Sequence, residues 1–137
     1  MIAYSVSYLD EGEPGVIGEV AEAAIREFPE MLWQSSPKEA IQRLISDTQA
    51  HQRAEITARD STGKLIGFAS LVEDDDSHVG ELLGVQWFYV LPENRGAVGR
   101  KLTKAIRQIA KATGYEVMAY THRLGEGRYE INYRRLK

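Results

Sequence analysis

The segment from Tyr89 to Leu102, YVLPENRGAVGRKL, brings two glycines and three cations to the point where a strand pattern gives way to a helix pattern. The first turn of a helix has backbone N–H groups without intrahelical partners, and its dipole favours an anion. Glycine lets the backbone approach a phosphate closely, and Arg95, Arg100 and Lys101 add positive charge at the same end. Two interpretations stay open, an ordinary turn with solvated cations and a cradle for phosphates.

Two other stretches could carry chemistry or binding. Glu73 to His78, EDDDSH, offers Asp74, Asp75, Asp76 and His78 to a cation, but its spacing is not that of an EF-hand, and an acidic hairpin tip is usually solvated. Phe28 to Trp33, FPEMLW, is unusually apolar for a loop and is consistent with a pocket lining, with core or with an exposed patch. We therefore predict no metal site.

Composition excludes several classes of protein. The 137 residues suit one domain, residues 1–137, and they include no cysteine, which excludes disulfides, a thiol nucleophile and zinc held by thiolates. A net charge of −3 and a pI near 5.6 do not favour nucleic-acid binding. No apolar run approaches the roughly 18 residues of a membrane span, and the first residues lack the features of a signal peptide. We expect a cytoplasmic protein that does not bind membranes.

The elements that must position these residues follow from hydrophobic periodicity. Three helices are predicted: Val16–Phe28, Pro37 to about His51, and Ala97–Thr113. Ser36 and Glu39 form a capping box for the second helix. Six strands are predicted: Ile2–Leu9, two strands within 54–76 around a turn at 60–63, Glu81–Leu91, Tyr115–His122 and Arg128–Leu136. The order is β-α-α-β-β-β-α-β-β.

This order and the segment YVLPENRGAVGRKL resemble the GNAT superfamily of acyl-CoA-dependent N-acyltransferases. The family pattern V-x-P-E-x-R-G is matched at Val90, Pro92, Glu93, Arg95 and Gly96. The following glycine loop departs from the family, and a one-residue deletion restores the match by placing glycines at 96 and 99.

The resemblance implies an α/β (α+β) fold with a mixed, mostly antiparallel sheet of about six strands and three helices. It also implies acetyl-CoA as cosubstrate, with its pantetheine arm in a gap between the strand that ends at Leu91 and the strand that begins near Tyr115. Gly84 would be the family's bulge in the first of these strands. The implied acetyl-CoA contacts are Phe88, Val90, Leu91, Arg95, Gly96, Ala97, Val98, Gly99, Arg100 and Lys101.

For catalysis, the resemblance implies a base on the strand before the glycine loop and an acid after the gap. Glu81 is the candidate base. The helix that carries a tyrosine acid in many family members has no counterpart, because only residues 123–128 separate the last two strands. Tyr120, His122 and Tyr129 are the substitute acids, although tyrosines in alternating strands are usually packing residues and a histidine at a strand end is usually polar surface.

Two functions remain open at this stage. One is an N-acetyltransferase that acts on an unknown amine or protein acceptor. The other is a catalytically silent binding or structural subunit of the same fold, for example a virion component, because compact virus-encoded proteins that resemble this family include such components. The absent helix would leave one side of the gap open, so we also expect slow turnover and either self-association or a protein partner over the last two strands.

Overall fold

The strand patterns of the sequence form one six-stranded sheet in the computed structural model, which describes residues 1–136. The strands are β1 (Ala3–Leu9), β2 (Arg53–Arg59), β3 (Leu65–Asp76), β4 (Gly80–Val90), β5 (Val117–Gly125) and β6 (Arg128–Arg135). Their spatial order is the order of the chain, and every neighbouring pair is antiparallel except β4 with β5. The predicted fold class is confirmed.

Three helices connect and cover the strands: α1 (Gly18–Glu27), α2 (Pro37–Gln49) and α3 (Ala97–Ala112). The capping box predicted for α2 is confirmed, since the Ser36 hydroxyl accepts from the Glu39 N–H and the Glu39 carboxylate accepts from the Ser36 N–H. The buried face of α3 includes Val98, Leu102 and Ile106. No helix over residues 1–136 is long and apolar enough to cross a membrane.

The two faces of the sheet carry different helices. A Cβ added to Gly67 of β3 would lie 2.8 Å from Val98 and 3.1 Å from Leu102, so this face packs against α3. Arg59 of β2 points to the opposite face, where its guanidinium binds Glu19 of α1 at 2.7 Å. These faces are called the α3 face and the α1 face below.

A buried ion pair joins the sheet to the chain that leads into α1. Arg53 Nε lies 2.8 Å from Glu55 Oε2, and both side chains are almost completely buried. The Val16 N–H donates to Glu55 Oε1, and a Cβ added to Gly15 would lie 2.1 Å from Glu55 Oε2. A side chain at position 15 would therefore have to displace the buried Glu55 carboxylate, because the chain passes directly over it.

The connection between α1 and α2 differs from the loop that was predicted there. Pro29–Leu32 form a 3-10 turn, which Pro29 starts and in which the Met31 N–H donates to the Phe28 carbonyl. Met31 packs against the core, whereas Trp33 is largely exposed. The stretch that allowed three interpretations is thus part core and part surface.

The last two strands form the direct antiparallel hairpin that the short connection predicted. β5 and β6 are joined by a turn at Glu126 and Gly127, and their register runs from Val117 opposite Arg135 to Gly125 opposite Arg128. No helix follows β5 within residues 1–136. The α3 face of this hairpin consequently has no covering helix of its own.

Candidate active site

The sheet is split between β4 and β5. These parallel strands pair at two positions among the described residues, Leu83 with Met118 and Gly84 with Ala119. Beyond Gly84 they separate, and a cavity of about 750 Å³ lies between them. Val85 and Met118 line the cavity at the end nearest to the two pairs. The predicted gap is therefore present.

A bulge in β4 accompanies the split. Ser70 of β3 faces Trp87, while the next residue of β3 faces Val85, so Gln86 is the extra residue. Its side chain is held on the α1 face, where the amide oxygen accepts from Ser70 Oγ at 3.2 Å and the amide nitrogen donates to the Asp47 carbonyl at 3.0 Å. The bulge predicted at Gly84 was wrong, because Gly84 pairs regularly with both of its neighbours.

The N-terminus of α3 opens beside the gap. Gly96 has φ +104°, a conformation that favours glycine, and it caps α3 without a side-chain hydrogen bond. The first helical bond runs from the Arg100 N–H to the Gly96 carbonyl, so the N–H groups of residues 97–99 have no intrahelical partner. A Cβ added to Gly99 would meet no heavy atom within 4 Å. This end of α3 therefore has free donors and open space for an anion.

A second cavity, of about 700 Å³, runs from this helix end along α3. Gly96, Gly99 and Arg100 line one part of it, and Phe88, Thr103 and Arg107 line both this cavity and the gap. The two cavities are consequently neighbours on the α3 face. An extended ligand could place a charged group at the helix end and a thin arm in the gap.

Two of the predicted phosphate-binding cations point elsewhere. Arg95 lies over the Tyr89 ring at 5.6 Å and binds Glu27 at 2.6 Å on the α1 face. Lys101 lies 5.3 Å from the Tyr4 ring, on the side of α3 toward β1. Of the three cations in the opening segment, only Arg100 lines the cavity at the end of α3. The predictions for the Arg95 and Lys101 side chains are therefore corrected.

The remaining predicted contacts are main-chain or core positions. Val90, Leu91 and Val98 are buried, while Ala97 is exposed in the first turn of α3. The Val90 carbonyl already accepts from Arg95 Nε at 3.0 Å, and the Leu91 N–H already donates to the Ile66 carbonyl. Phe88 is the predicted strand residue whose side chain reaches both cavities.

On the α1 face, a carboxylate from the end of α1 borders the gap. Glu27 Oε1 accepts from Arg95 at 2.6 Å and from the Tyr89 hydroxyl at 2.8 Å. The bond from Arg95 is the main reason why the pKa of Glu27 lies below its ordinary value. Burial, followed by the bond to Glu27, raises the pKa of Tyr89 to about 12. Glu27 therefore stays ionised and Tyr89 stays protonated near neutral pH.

A second carboxylate ties the 3-10 turn to the hairpin. Glu30 accepts from Arg123 Nε at 2.7 Å and Nη2 at 2.9 Å, and it also accepts from the Tyr129 hydroxyl. The Arg123 bonds lower the pKa of Glu30 to about 2, while burial and then Glu30 raise the pKa of Tyr129. The Arg123 guanidinium also lies 5.0 Å from the Phe28 ring. This network closes the α1 face of the gap.

Three of the four predicted catalytic side chains meet at the gap. Tyr120, His122 and Tyr129 all line it, the first two from the α3 face of β5. Glu81 is exposed near the start of β4, on the far side of the two β4–β5 pairs, and it does not line the cavity. Its position does not suit a base for chemistry in the gap.

Sequence reasoning missed the residues that build the α1 face, namely Glu27, Glu30 and Arg123. Each binds a partner at least 60 residues away: Arg95 for Glu27, and Arg123 for Glu30. The charges at 27 and 30 flank Phe28 and Pro29 at the end of a helix pattern, which is a visible but unspecific signal. No local rule connects them to the hairpin.

The split sheet beside a helix N-terminus with free N–H groups defines an acyl-CoA-dependent N-acyltransferase fold. The profile described as Acetyltransferase (GNAT) family matches residues 18–128, which is most of the chain. The chain therefore belongs to the GNAT acetyltransferase family. Among curated proteins, none matches it.

Solved structures share the fold at low sequence identity. One is a Pyrococcus furiosus protein assigned as an acetyl transferase, with TM-score 0.66, 15% identity and coverage of 90% of this chain and 85% of that chain. Another is the PaiA N-acetyltransferase from Thermoplasma acidophilum in complex with coenzyme A, with TM-score 0.62, 14% identity and coverage of 90% and 82%. A GNAT family acetyltransferase from Brucella melitensis in complex with acetyl-CoA gives TM-score 0.61, 17% identity and coverage of 95% and 87%.

Proposed function

We propose that the protein transfers an acetyl group from acetyl-CoA to an amine. The observation that carries the proposal is the gap between β4 and β5, which adjoins the free N–H groups at the start of α3 through Phe88, Thr103 and Arg107. Two of the structural neighbours were solved with CoA or acetyl-CoA, which supports the same cosubstrate here.

The chain offers acetyl-CoA fewer contacts than the sequence predicted. The N–H groups of residues 97–99, the space above Gly99 and the Arg100 guanidinium would hold the pyrophosphate. The pantetheine arm would follow β4 past Phe88 into the gap, toward Val85 and Met118. Arg95 would contribute indirectly, by fixing the turn before α3.

The acceptor amine must be neutral when it attacks the thioester carbonyl. Glu27, which lines the gap, has a lowered pKa, and Glu30, which binds the gap-lining residues Arg123 and Tyr129, has a pKa of about 2. Both carboxylates are therefore poor bases. We therefore propose that the amine loses its proton to water before or during attack. Tyr120, His122 and Tyr129 are the candidates for protonating the departing thiolate.

Calorimetric titration with acetyl-CoA and, separately, desulfo-CoA tests the proposal. Gly99→Ala is the most informative variant. Its new methyl would have no heavy atom of the protein within 4 Å, and glycine within a helix is less stable than alanine by about 0.5–1 kcal/mol. We expect Gly99→Ala to be at least as stable as wild type and to bind both ligands more weakly. Gly125→Ala, which also adds a methyl in open space, is the matched control and should bind like wild type.

Absence of binding by the wild type at millimolar acetyl-CoA would contradict the proposal and favour the catalytically silent subunit. That alternative, including a virion component, stays a prediction, as do the cytoplasmic location and a partner over the β5–β6 hairpin. The acceptor, a small amine or a protein amino group, would be identified by assaying acetyl-CoA consumption against a broad amine panel.

A further inference from the structure

We infer that Tyr120 is the proton donor to the departing thiolate and that Arg134, from β6, is the positioning residue that aims the Tyr120 proton into the gap. This inference rests on the proposed acetyl transfer. Arg134 Nη2 donates to the Tyr120 hydroxyl oxygen at 3.3 Å, and both side chains line the gap. They lie on the α3 face of the hairpin, beside α3 rather than α1.

The direction of this hydrogen bond carries the argument. A guanidinium has only donors, so the Tyr120 oxygen must be the acceptor and the Tyr120 proton must point away from Arg134. No second partner of the Tyr120 hydroxyl is found within residues 1–136. The proton is therefore available to a group in the gap. Once the proton is transferred, the adjacent guanidinium stabilises the phenolate that remains.

The two other candidates do not have this arrangement. Tyr129 donates its proton to Glu30, which also raises the pKa of Tyr129. His122 is exposed at a strand position beyond Tyr120, farther from the pairs that close the gap at Met118. Tyr120 is thus the candidate that has a free proton, a cation beside its oxygen and a place near the closed end of the gap.

Charge on this side of the gap suits a thiolate. Arg107 and Arg134 line the gap, and neither is paired with a carboxylate among the described residues.

In the acetyl-transfer step, the amine nitrogen bonds to the thioester carbonyl carbon and the C–S bond breaks. The bonding pair goes to sulfur, and sulfur takes the Tyr120 proton. The nitrogen, now bonded to the carbonyl carbon, releases one proton to water, and Tyr120 regains a proton from water. The products are the N-acetyl amine and CoA with a free thiol.

The thiol of bound CoA gives a readout that needs no acceptor. Thiolate formation is followed by ultraviolet absorbance as the pH is raised, with the desulfo-CoA complex as baseline. We expect the bound thiol to ionise about one pH unit lower in the wild type than in Tyr120→Phe or Arg134→Gln. Arg134→Lys should restore part of the shift, and Arg135→Gln, an exposed cation next in β6, should behave like wild type.

Turnover gives the second readout. We expect Tyr120→Phe to lower kcat about 100-fold and Arg134→Gln to lower it about tenfold with little change in KM for acetyl-CoA. The double variant should be no slower than Tyr120→Phe alone, because Arg134 acts through Tyr120. The inference would be overturned, with the acetyl transfer left intact, if the thiol of bound CoA ionised at the same pH in the variants as in wild type. Independent losses of kcat in the double variant would also overturn it. Failure of CoA to bind at all would instead refute both.

Discussion

The two faces of the gap differ in whether their charged side chains are paired within the protein. On the α1 face, Glu27 and Glu30 are each bound by an arginine and a tyrosine, and the Glu30 side chain is only 9% exposed. On the α3 face, Arg100 and Arg107 line open cavities and form no ion pair within the described residues. The carboxylates of the α1 face are paired within the protein, whereas the α3 face has N–H donors and cations without an anion among the described residues.

This difference assigns separate tasks to the two faces. Bonds made within the protein stabilise the fold, so the α1 face should contribute mainly to the free energy of unfolding. Unpaired cations contribute little to folding and can contribute strongly to an anionic ligand, so the α3 face should contribute mainly to acetyl-CoA binding. Variants on the two faces should therefore separate stability from binding.

The largest expected effect is on the α1 face. Arg123→Ala would leave the largely buried Glu30 carboxylate without its guanidinium, which should lower the free energy of unfolding clearly more than the loss of an exposed ion pair does. Urea unfolding measures the loss. The control is Glu22→Gln in α1, whose pair with Arg26 is exposed and 3.9 Å long, and which should cost at most about 1 kcal/mol. Equal effects of the two substitutions would contradict the comparison.

The second effect is on the α3 face and concerns binding alone. Arg100→Gln should weaken acetyl-CoA binding by about 1–2 kcal/mol, increasingly so at low salt, and should leave the free energy of unfolding within about 0.5 kcal/mol of wild type. Lys101→Gln is the control on the same helix, because Lys101 lies over Tyr4. If Lys101→Gln weakened binding as much as Arg100→Gln, the cavity at the end of α3 would not be the phosphate site.

The division between the faces also shows what could be predicted from the sequence. The glycine turn into α3 and the hairpin without a helix were predictable, since the first follows from local turn chemistry and the second from the length of one connection. The direction of Arg95 was not, because its partner Glu27 is 68 residues away and the two meet only once α1 lies on the sheet. The bulge was misplaced for a similar reason, since glutamine at 86 gives no local signal and its anchors lie in α2 and β3.

A third, smaller effect follows from the low pKa of Glu30. Its value in the fold, about 2, lies below the ordinary 4.5, so its contribution to stability is complete above about pH 4.5 and is lost as the pH falls toward 2. We expect wild type to be more stable than Glu30→Gln near neutral pH and the difference to shrink steadily through that acidic range. Urea unfolding of both proteins between about pH 6 and pH 3 measures it. If the difference in the free energy of unfolding did not change with pH, Glu30 would stabilise the fold through packing rather than through its charge.

The smallest effect concerns the tip of the hairpin, where the α1 face is closed by a contact outside the gap. Trp33 Nε1 donates to Glu126 Oε2 at 3.0 Å, and a Cβ added to Gly127 would lie 2.4 Å from the indole ring. Trp33→Phe keeps a ring over Gly127 but removes the exposed hydrogen bond, so we expect a loss of about 0.5–1 kcal/mol or less. Gly127→Ala should displace the indole and also strain a backbone with φ +69°.

Hydrogen exchange at residues 126–129 distinguishes this contact from the Glu30 network. In Trp33→Phe, the amides of the turn should exchange faster while those of β5 near Met118 keep their wild-type rates, because the Arg123–Glu30 bonds still hold the hairpin. In Arg123→Ala, protection should fall along the whole outer half of the hairpin. If Trp33→Phe released the same residues as Arg123→Ala, the tip and the network would act as one unit. The closure of the α1 face would then depend on the indole as much as on the Arg123–Glu30 ion pair.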